Sequence, residues 1–484
     1  MTAQNYQISA VFIYLCIVFF VGFLSYRRNL TATDFIIGDR SLNYWLTALA
    51  AHASDMSNWL FMGYPSVIFL RGMPSAWTAI GLLIFMFLNW QIVAPKIRIA
   101  TEQYNSLTFS SFFESRLADT SGLIRVFTAV MSFIFYTIYI SAGLVGMGLL
   151  TETLFNIHYN FGISIGILIV IPYVFFGGYR TLAWIDLFQG LFLMCVVIFV
   201  PLYLLPKIGG IAGMMASIEA KGLPTSLIPD FSGLSLLEIF FIATGWGLGY
   251  FGQPHIVTKF MGIKNVQEIN KSKWIGMSWM VLSLSAATLV GLVGIAFFST
   301  GKLDDPQQVF IEMVKLTFHP MIIGFMLCAV VAATINNMSS QVLVLCSSIT
   351  EDFYKRIFHK NASSKELLLV SRLGVLLVSA VAYLIAYQEL STIYSLVFYA
   401  WSGLGSAFGP LLIASLYSTR VNKYGAWAGI LVGGIVSGVW PFINPYFTLE
   451  IPSMIMGFST SMIAIFLVSS LTRQDRAKIQ NISS

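Results

Sequence analysis

The stretch Ala51 to Pro65, AHASDMSNWLFMGYP, places one carboxylate, Asp55, inside a long apolar run bounded by Arg40 and Arg71. If the run is a helix that crosses a membrane, Asp55 lies roughly 22 Å from either charged end, near the middle of the bilayer. An acid at that depth costs about 2.5–3.5 kcal/mol to insert. We therefore expect Asp55 to face a polar cavity and a bound ion. The alternative is a kinked, packed helix whose acid hydrogen-bonds a neighbour.

Helix-breaking and polar residues surround this acid. Gly63 and Pro65 interrupt helix hydrogen bonding, and Ser54, Ser57 and Asn58 add polar atoms. Carbonyls freed at a helix break are cation ligands, and amides freed at a half-helix N-terminus suit a carboxylate. The stretch therefore predicts a binding site at a break in the helix.

A second stretch, TGWGLGYFGQPH at 244–255, has the same character. Four glycines and one proline fall within ten residues, a density that favours an unwound segment over a regular helix. Close packing of glycines between helices is the alternative. Trp246 and Tyr250, at i and i+4, would offer aromatic surface to a ligand at this break.

Other polar residues lie inside apolar runs. The amides and hydroxyls of AATINNMSSQ, residues 332–341, either line an ion site or bond between helices, and we favour the ion site. Asp186 follows Arg180 and the Gly177-Gly178 turn, and we expect an Arg–Asp contact with a structural or gating role. Tyr139 shares a helix face with a second tyrosine three residues earlier, which fits either a cavity wall or aromatic packing.

The composition places these residues in a membrane. The chain is 57% hydrophobic and only 10% charged, with a mean hydropathy of +0.80, whereas globular proteins carry about 25% charged residues. We predict an all-α polytopic membrane protein. Thirteen apolar runs have spanning length: 8–26, 44–70, 74–95, 126–155, 161–178, 184–206, 234–257, 274–299, 320–348, 367–387, 393–418, 424–445 and 453–471.

The basic residues predict the orientation. Of the 27 Lys and Arg residues, 22 lie in the loops after odd-numbered spans and five on the other side. By the positive-inside rule the N-terminus is outside and the C-terminus is cytoplasmic. The net charge of +6 therefore reflects topology and does not indicate a nucleic-acid partner.

The two broken spans occupy equivalent positions in the chain. Counting five spans from the second and five from the seventh makes each broken span the first of its set, a pattern that points to a transporter binding site. An odd repeat length also inverts the second copy. We predict one membrane domain, with a peripheral first span (8–26), a first repeat (44–206), a second repeat (234–418) and two additional spans (424–471).

Four segments resemble the sodium:solute symporter family, most closely its members that carry proline. The segments are GDRSL at 38–42, SDMSNWLFMG at 54–63, GWGLGYFGQPHI at 245–256 and SSITEDFYK at 347–355. The resemblance covers nearly the whole chain. It implies thirteen helices, an extracellular N-terminus and a five-plus-five inverted repeat of the leucine-transporter type.

The resemblance also implies two sets of site residues. Sodium is expected near Ala53, Asp55, Met56, Ala333, Asn336 and Asn337. The substrate is expected near Ser57, Trp59, Gly63, Tyr139, Trp246, Tyr250 and Pro254. The chain departs from the family in two places, because Asn336-Asn337 replaces two adjacent hydroxyl residues and Asn58 replaces a glycine. Amide side chains are longer and bring competing donors, so sodium coupling and proton coupling through Asp55 both stay open.

These observations predict a secondary symporter that imports a small amino acid, L-proline, with sodium by alternating access in the bacterial inner membrane. The alternatives are a sodium- or proton-coupled symporter for another small organic solute and a transporter-like solute sensor. No kinase or receiver segment follows the last span, which disfavours the sensor. An intramembrane enzyme would need paired catalytic groups or a metal cluster, and the sequence has none at suitable spacing. The expected partners are the solute, sodium and the lipid bilayer, with no nucleic acid and no obligate protein partner.

Overall fold

A computed structural model of the chain describes residues 3–25, 40–176, 179–299, 303–359 and 361–472. Within these ranges the regular secondary structure is helical, apart from an isolated bridge between Leu42 and Ile263. The predicted Gly177-Gly178 turn and the start of the GDRSL segment lie outside them.

The helices are labelled by predicted span. The first six spans form α1 (Ala3–Ser25), α2a (Tyr44–Asp55), α2b (Gly63–Arg71), α3 (Trp77–Leu88), α4 (Leu123–Phe155), α5 (Tyr159–Phe176) and α6 (Tyr179–Leu204). The others form α7a (Gly233–Gly247), α7b (Pro254–Met261), α8 (Ile269–Phe297), α9 (Pro320–Ser347), α10 (Ser364–Tyr387), α11 (Ile393–Tyr417), α12 (Lys423–Ile443) and α13 (Ser453–Leu471). Shorter helices occupy Ala94–Gln103, Phe109–Arg116, Gly210–Ala220 and Val309–Thr317.

Eleven helical segments in the described ranges are long and apolar enough to cross a membrane. They correspond to every predicted span except the second and the fifth. The second is divided into helices of 12 and 9 residues, and α5 has a shorter apolar stretch, Tyr159–Ile171. An all-helical fold follows from the apolar runs, because a helix satisfies every backbone hydrogen bond within the segment. The protein is a multi-pass membrane protein.

Both predicted helix breaks are confirmed. After α2a the backbone is extended at Met56 (φ −88°, ψ 109°) and Ser57 (φ −107°, ψ −169°), and a short 3-10 turn precedes α2b. After α7a a 3-10 turn covers Leu248–Gly252, and extended Gln253 leads into α7b. Each break lies in the middle of its span, so carbonyls and amides are freed far from either end.

The contacts of α2–α6 are repeated by α7–α11. Helix α4 packs on α5, and its counterpart α9 packs on α10. Helix α4 also packs on α10, and correspondingly α9 packs on α5. Likewise α2a packs on α6 as α7a packs on α11, and α3 packs on α7a as α8 packs on α2a. Every contact named here therefore has a counterpart five spans later, with the two broken helices inside.

The remaining helices lie around this core. Helix α1 packs on α6 and α9, where Gln189 Nε2 of α6 donates to Tyr14 Oη of α1 at 3.0 Å. Helices α12 and α13 pack on each other and on α11. All three helices therefore add surface outside the two sets of five.

An ion-pair network joins the segment between α3 and α4 to the segment after α9. Glu114 lies 2.6 Å from Arg125 and 2.9 Å from Arg356, and Arg125 also contacts buried Asp352 at 3.4 Å. These groups fix the short helix Phe109–Arg116 against α4 and the π-helical continuation of α9.

Candidate functional site

A cavity lies between the two breaks. Its aromatic walls are Trp59, Tyr139, Trp246, Tyr250 and Trp401, and its aliphatic walls are Met56, Leu60, Leu82, Met280, Leu284 and Val397. Asp55 supplies its only carboxylate among the lining residues. The cavity is therefore mainly apolar, and its polar groups are one acid, two tyrosine hydroxyls and the indole N–H groups of its tryptophans.

The acid links the two broken helices. Asp55 is the last residue of α2a, and Tyr250 Oη of the second break donates to its Oδ2 at 2.5 Å. The Tyr250 carbonyl in turn accepts from Asn89 Nδ2, in the π-helical segment that continues α3, at 3.0 Å. Because a helix C-terminus carries negative partial charge, the carboxylate and the end of α2a together favour a cation.

Two indoles in tilted contact, with an interplanar angle of 42°, form one side of the cavity. The ring centroids of Trp59 and Trp246 are 5.0 Å apart, and Trp246 Nε1 donates to Tyr394 Oη at 2.8 Å. Trp59 Nε1 is buried and has no hydrogen-bond partner in the described part of the chain. A Cβ on Gly63 would lie 3.0 Å from the Trp59 ring, so glycine at 63 leaves room for this indole.

Four of the seven predicted substrate residues line this cavity, namely Trp59, Tyr139, Trp246 and Tyr250. The other three do not. Ser57 Oγ accepts from the Trp59 backbone N–H at 3.1 Å and so caps the 3-10 turn. Gly63 lies behind the Trp59 ring, and Pro254 lines a separate cavity. Contact of all seven with a solute stays a prediction.

Asn58, which the resemblance led us to expect in the place of a glycine, points away from the cavity. Its Nδ2 donates to the Ala142 carbonyl of α4 at 3.0 Å, and the side chain lies where a Cβ on Gly146 would have to be. Asn58 therefore contributes to helix packing and does not line the cavity.

The predicted sodium residues lie where α2a, α6 and α9 meet. Asn337 Nδ2 donates to the Ser54 carbonyl at 2.7 Å, and Asn337 Oδ1 accepts from Gln341 Nε2 at 2.7 Å. Asn336 Nδ2 donates to the Asp186 carbonyl at 3.3 Å. Its Oδ1 is buried and has no partner among the described residues. The amides of α9 thus bridge to α2a and to α6, and nitrogen faces the end of α2a.

The other members of this set contribute no side-chain polar atoms. Ala53 faces α6, where a Cβ on Gly190 would lie 2.7 Å from the Ala53 Cβ. Met56 lines the cavity, and Ala333 is fully buried on α9. Any ligation by these three residues would come from their carbonyls, and it stays a prediction.

Asp186 has a partner that sequence reasoning missed. Its Oδ2 lies 3.2 Å from Lys259 Nζ of α7b, and both side chains are buried. The predicted partner, Arg180, has a side chain outside the described part of the structure. The contact joins α6 to α7b, one helix from each set of five.

Sequence reasoning also missed Trp401, whose Nε1 donates to the Trp246 carbonyl at 2.9 Å and whose ring packs edge-on against Tyr250. Its stretch, FYAWSGLGSAFGP, holds no acid or amide and no helix break. The tryptophan beside several small residues was the one available signal.

Two broken helices that enclose an acid-containing cavity in an all-helical membrane protein define a secondary transporter. Residues 35–433 match the sodium:solute symporter family, and the chain belongs to that family.

Its relatives include two named proline carriers. The high-affinity proline transporter PutP of Bacillus subtilis is 40% identical, covering 94% of this chain and 95% of the relative. Sodium/proline symporter 2 of Staphylococcus saprophyticus is 39% identical, covering 96% of this chain and 92% of the relative.

Solved structures share the fold. A Na⁺-coupled sialic acid symporter in a substrate-bound outward-open state aligns with a TM-score of 0.81 at 17% identity, covering 97% of this chain and 98% of that one. MhsT in complex with L-phenylalanine aligns with a TM-score of 0.57 at 14% identity, covering 87% and 97%. The fold is of the leucine-transporter type.

Proposed function

We propose that the protein imports L-proline together with sodium by alternating access around the cavity between α2 and α7. The observation that carries this proposal is the cavity itself, which combines Asp55 with aromatic walls from both helix breaks. The names of the two proline carriers to which the chain is 39–40% identical support the choice of solute and ion.

The chemistry of proline suits these walls. Its apolar ring matches the faces of Trp59 and Trp246, which lie 5.0 Å apart by centroid. Its carboxylate matches amides freed at the half-helix N-terminus of α2b, and its ammonium group matches the tyrosine hydroxyls beside Asp55. The walls come from α2 and α4 of the first set of five helices and from α7 and α11 of the second set. Movement of one set against the other would therefore open the site to either side of the membrane.

For sodium we propose a site at the junction of α2a and α9. The carbonyls of Ala53, Met56 and Ala333 would provide oxygen ligands, and Asp55 would provide most of the attraction. Asn336 Oδ1 supports the proposal, because it is a buried oxygen without a partner in the described ranges. Asn337 would have to turn its amide to offer oxygen, since its nitrogen now faces Ser54.

We further propose thirteen membrane spans in the bacterial inner membrane, with the N-terminus outside and the C-terminus cytoplasmic. The charge distribution supports this orientation. The matching contacts of α2–α6 and α7–α11 support a five-plus-five inverted repeat at 44–206 and 234–418. On this division α1 is peripheral, and α12 and α13 are additional helices.

Uptake of radiolabelled L-proline into proteoliposomes tests the function. We expect accumulation when an inward sodium gradient is imposed and none when sodium is equal on both sides. Unlabelled proline should compete, whereas a sugar acid or another carboxylate should not. Accumulation driven by a pH gradient at zero sodium would instead show proton coupling, and failure to accumulate proline under either gradient would refute the choice of solute.

A further inference from the structure

A second cavity lies on the side of the protein where the predicted cytoplasmic loops are. We call it the lower cavity. It is enclosed by α4, α7b, α9 and the segment that leads into the helix Phe109–Arg116.

Three lining side chains of the lower cavity hold buried polar atoms without a partner in the described chain. They are Thr128 Oγ1 of α4, His255 Nε2 of α7b and Ser340 Oγ of α9. The three residues are 2%, 0% and 3% exposed. A buried polar group without a hydrogen bond is costly, and three such groups around one space indicate a polar occupant.

The lower cavity lies directly beneath the cavity between the breaks. Tyr139 of α4 lines the cavity between the breaks, and Thr128, three helical turns away on the same helix, lines the lower cavity. Between them, Tyr136 Oη accepts from the His255 backbone N–H at 3.0 Å and lies 3.2 Å from His255 Nδ1. The Tyr136–His255 pair thus separates two spaces that share the walls α4 and α7.

The charged groups around the lower cavity are already paired or hydrogen-bonded. Lys259 lines the space and is paired with Asp186, so the two charges offset each other. Asp352 lies near the rim but is already bonded by Thr108 Oγ1 at 2.9 Å and Ser348 Oγ at 2.6 Å. The groups left to meet a ligand are hydroxyls and an imidazole nitrogen, which suit a small zwitterion better than a bare ion.

We propose that the lower cavity is a second, weaker binding site for the transported zwitterion, which the solute occupies on the cytoplasmic side after it leaves the site between the breaks. Its carboxylate would accept hydrogen bonds from Thr128 and Ser340, and the apolar side chains of Leu343 and Val344 would meet its ring. The identity of the solute rests on the proposed proline transport.

Removal of single hydroxyls tests the site. Thr128→Val and Ser340→Ala delete the unpartnered hydroxyls with little change in shape. Thr151→Val is the matched control, because Thr151 is also buried on α4, but its hydroxyl bonds the Met147 carbonyl of its own helix at 2.9 Å and lines neither cavity. All variants should reach the membrane at wild-type levels and melt at similar temperatures.

Right-side-out and inside-out membrane vesicles give the half-saturating proline concentration from each face. For Thr128→Val and for Ser340→Ala we expect the half-saturating concentration to rise about 10- to 100-fold from the cytoplasmic face, because each variant loses one hydrogen bond to a charged group, and to stay unchanged from the outer face. The control should change neither. Equal shifts from both faces, or none from the cytoplasmic face, would overturn the second site.

Equilibrium binding of radiolabelled L-proline to the purified protein provides a readout independent of transport. The wild type should bind two molecules per chain with different affinities, and Thr128→Val should lose the weaker one. A single site in the wild type would overturn the inference. A wild type that neither binds nor transports proline would refute the proposed function instead, so the two failures are distinguishable.

Discussion

Replacing Asn337 with serine would show how strongly the chain's own amides oppose sodium. In the structure both ends of the Asn337 amide are used, the nitrogen by the Ser54 carbonyl and the oxygen by Gln341 Nε2, each at 2.7 Å. A cation at this junction needs oxygen, and amide nitrogen repels it. Sodium binding therefore requires the amide to turn and to break both hydrogen bonds.

The cost of that turn gives the size of the effect. Each buried hydrogen bond contributes about 1 kcal/mol net, so losing both costs about 2 kcal/mol, or roughly 30-fold in affinity. A serine hydroxyl at 337 has neither bond to break. We expect Asn337→Ser to lower the half-saturating sodium concentration for proline uptake by about 10- to 30-fold. It should also lower the melting temperature, because the Ser54 carbonyl loses its partner.

Uptake at fixed pH over a sodium series in proteoliposomes measures this shift. Gln341→Leu removes one of the two hydrogen bonds and should lower the half-saturating sodium concentration about fivefold. In the double variant with Asn337→Ser it should cause no further decrease, because the two residues act through one interaction. Asn336→Ser is the matched comparison. Its oxygen already lacks a partner in the described ranges, and its single bond is 3.3 Å long, so the change should be about threefold or less.

An unchanged or higher half-saturating sodium concentration in well-folded Asn337→Ser would refute this reasoning. Asn337 would then be a structural bridge between α9 and α2a, and the coupling ion would bind elsewhere. If Asn337→Ser shifts sodium affinity but Gln341→Leu does not, residue 337 still lies at the sodium site, and only the proposed rotation of its amide is refuted.

Three further variants test other parts of the protein. Asp55→Asn should insert and fold, since it removes an insertion cost, yet lose sodium-driven accumulation of proline; full accumulation by this variant would remove Asp55 from the coupling mechanism. Tyr139→Phe should raise the half-saturating proline concentration about tenfold while sodium dependence changes little, and a loss of protein from the membrane alone would mark Tyr139 as a packing residue. Glu114→Gln should lower the free energy of unfolding by about 3 kcal/mol, because Arg125 and Arg356 lose their shared carboxylate; an unchanged thermal melt in detergent would contradict a stabilising network.

Local sequence determined the membrane class, the helical fold and the positions of both breaks. Apolar runs of spanning length can satisfy their backbone only as helices, so they are visible without knowledge of any partner. The breaks are equally local, because the glycines and prolines around Asp55 and Tyr250 disfavour a helix wherever they lie. The family followed from long motifs, and the match over residues 35–433 confirms it.

Tertiary structure alone decided which way each helix faces. Sequence placed Asn58 beside the substrate residues, but the side chain turns to α4. It likewise proposed the amide of Asn337 as a sodium ligand, yet its nitrogen bonds the carbonyl of Ser54. The pairing of Asp186 with Lys259 joins residues 73 positions apart, a contact that no local pattern encodes.

The physical reason lies in the solvent. A helix in water reveals its buried face by an apolar stripe, but lipid is as apolar as a protein core, so the helices here are apolar on every side. Trp401 illustrates the consequence, because the small residues beside it do not indicate whether it meets lipid or the cavity. Its contact with Tyr250 and its position in the cavity wall both depend on the packing of α11 against the second break.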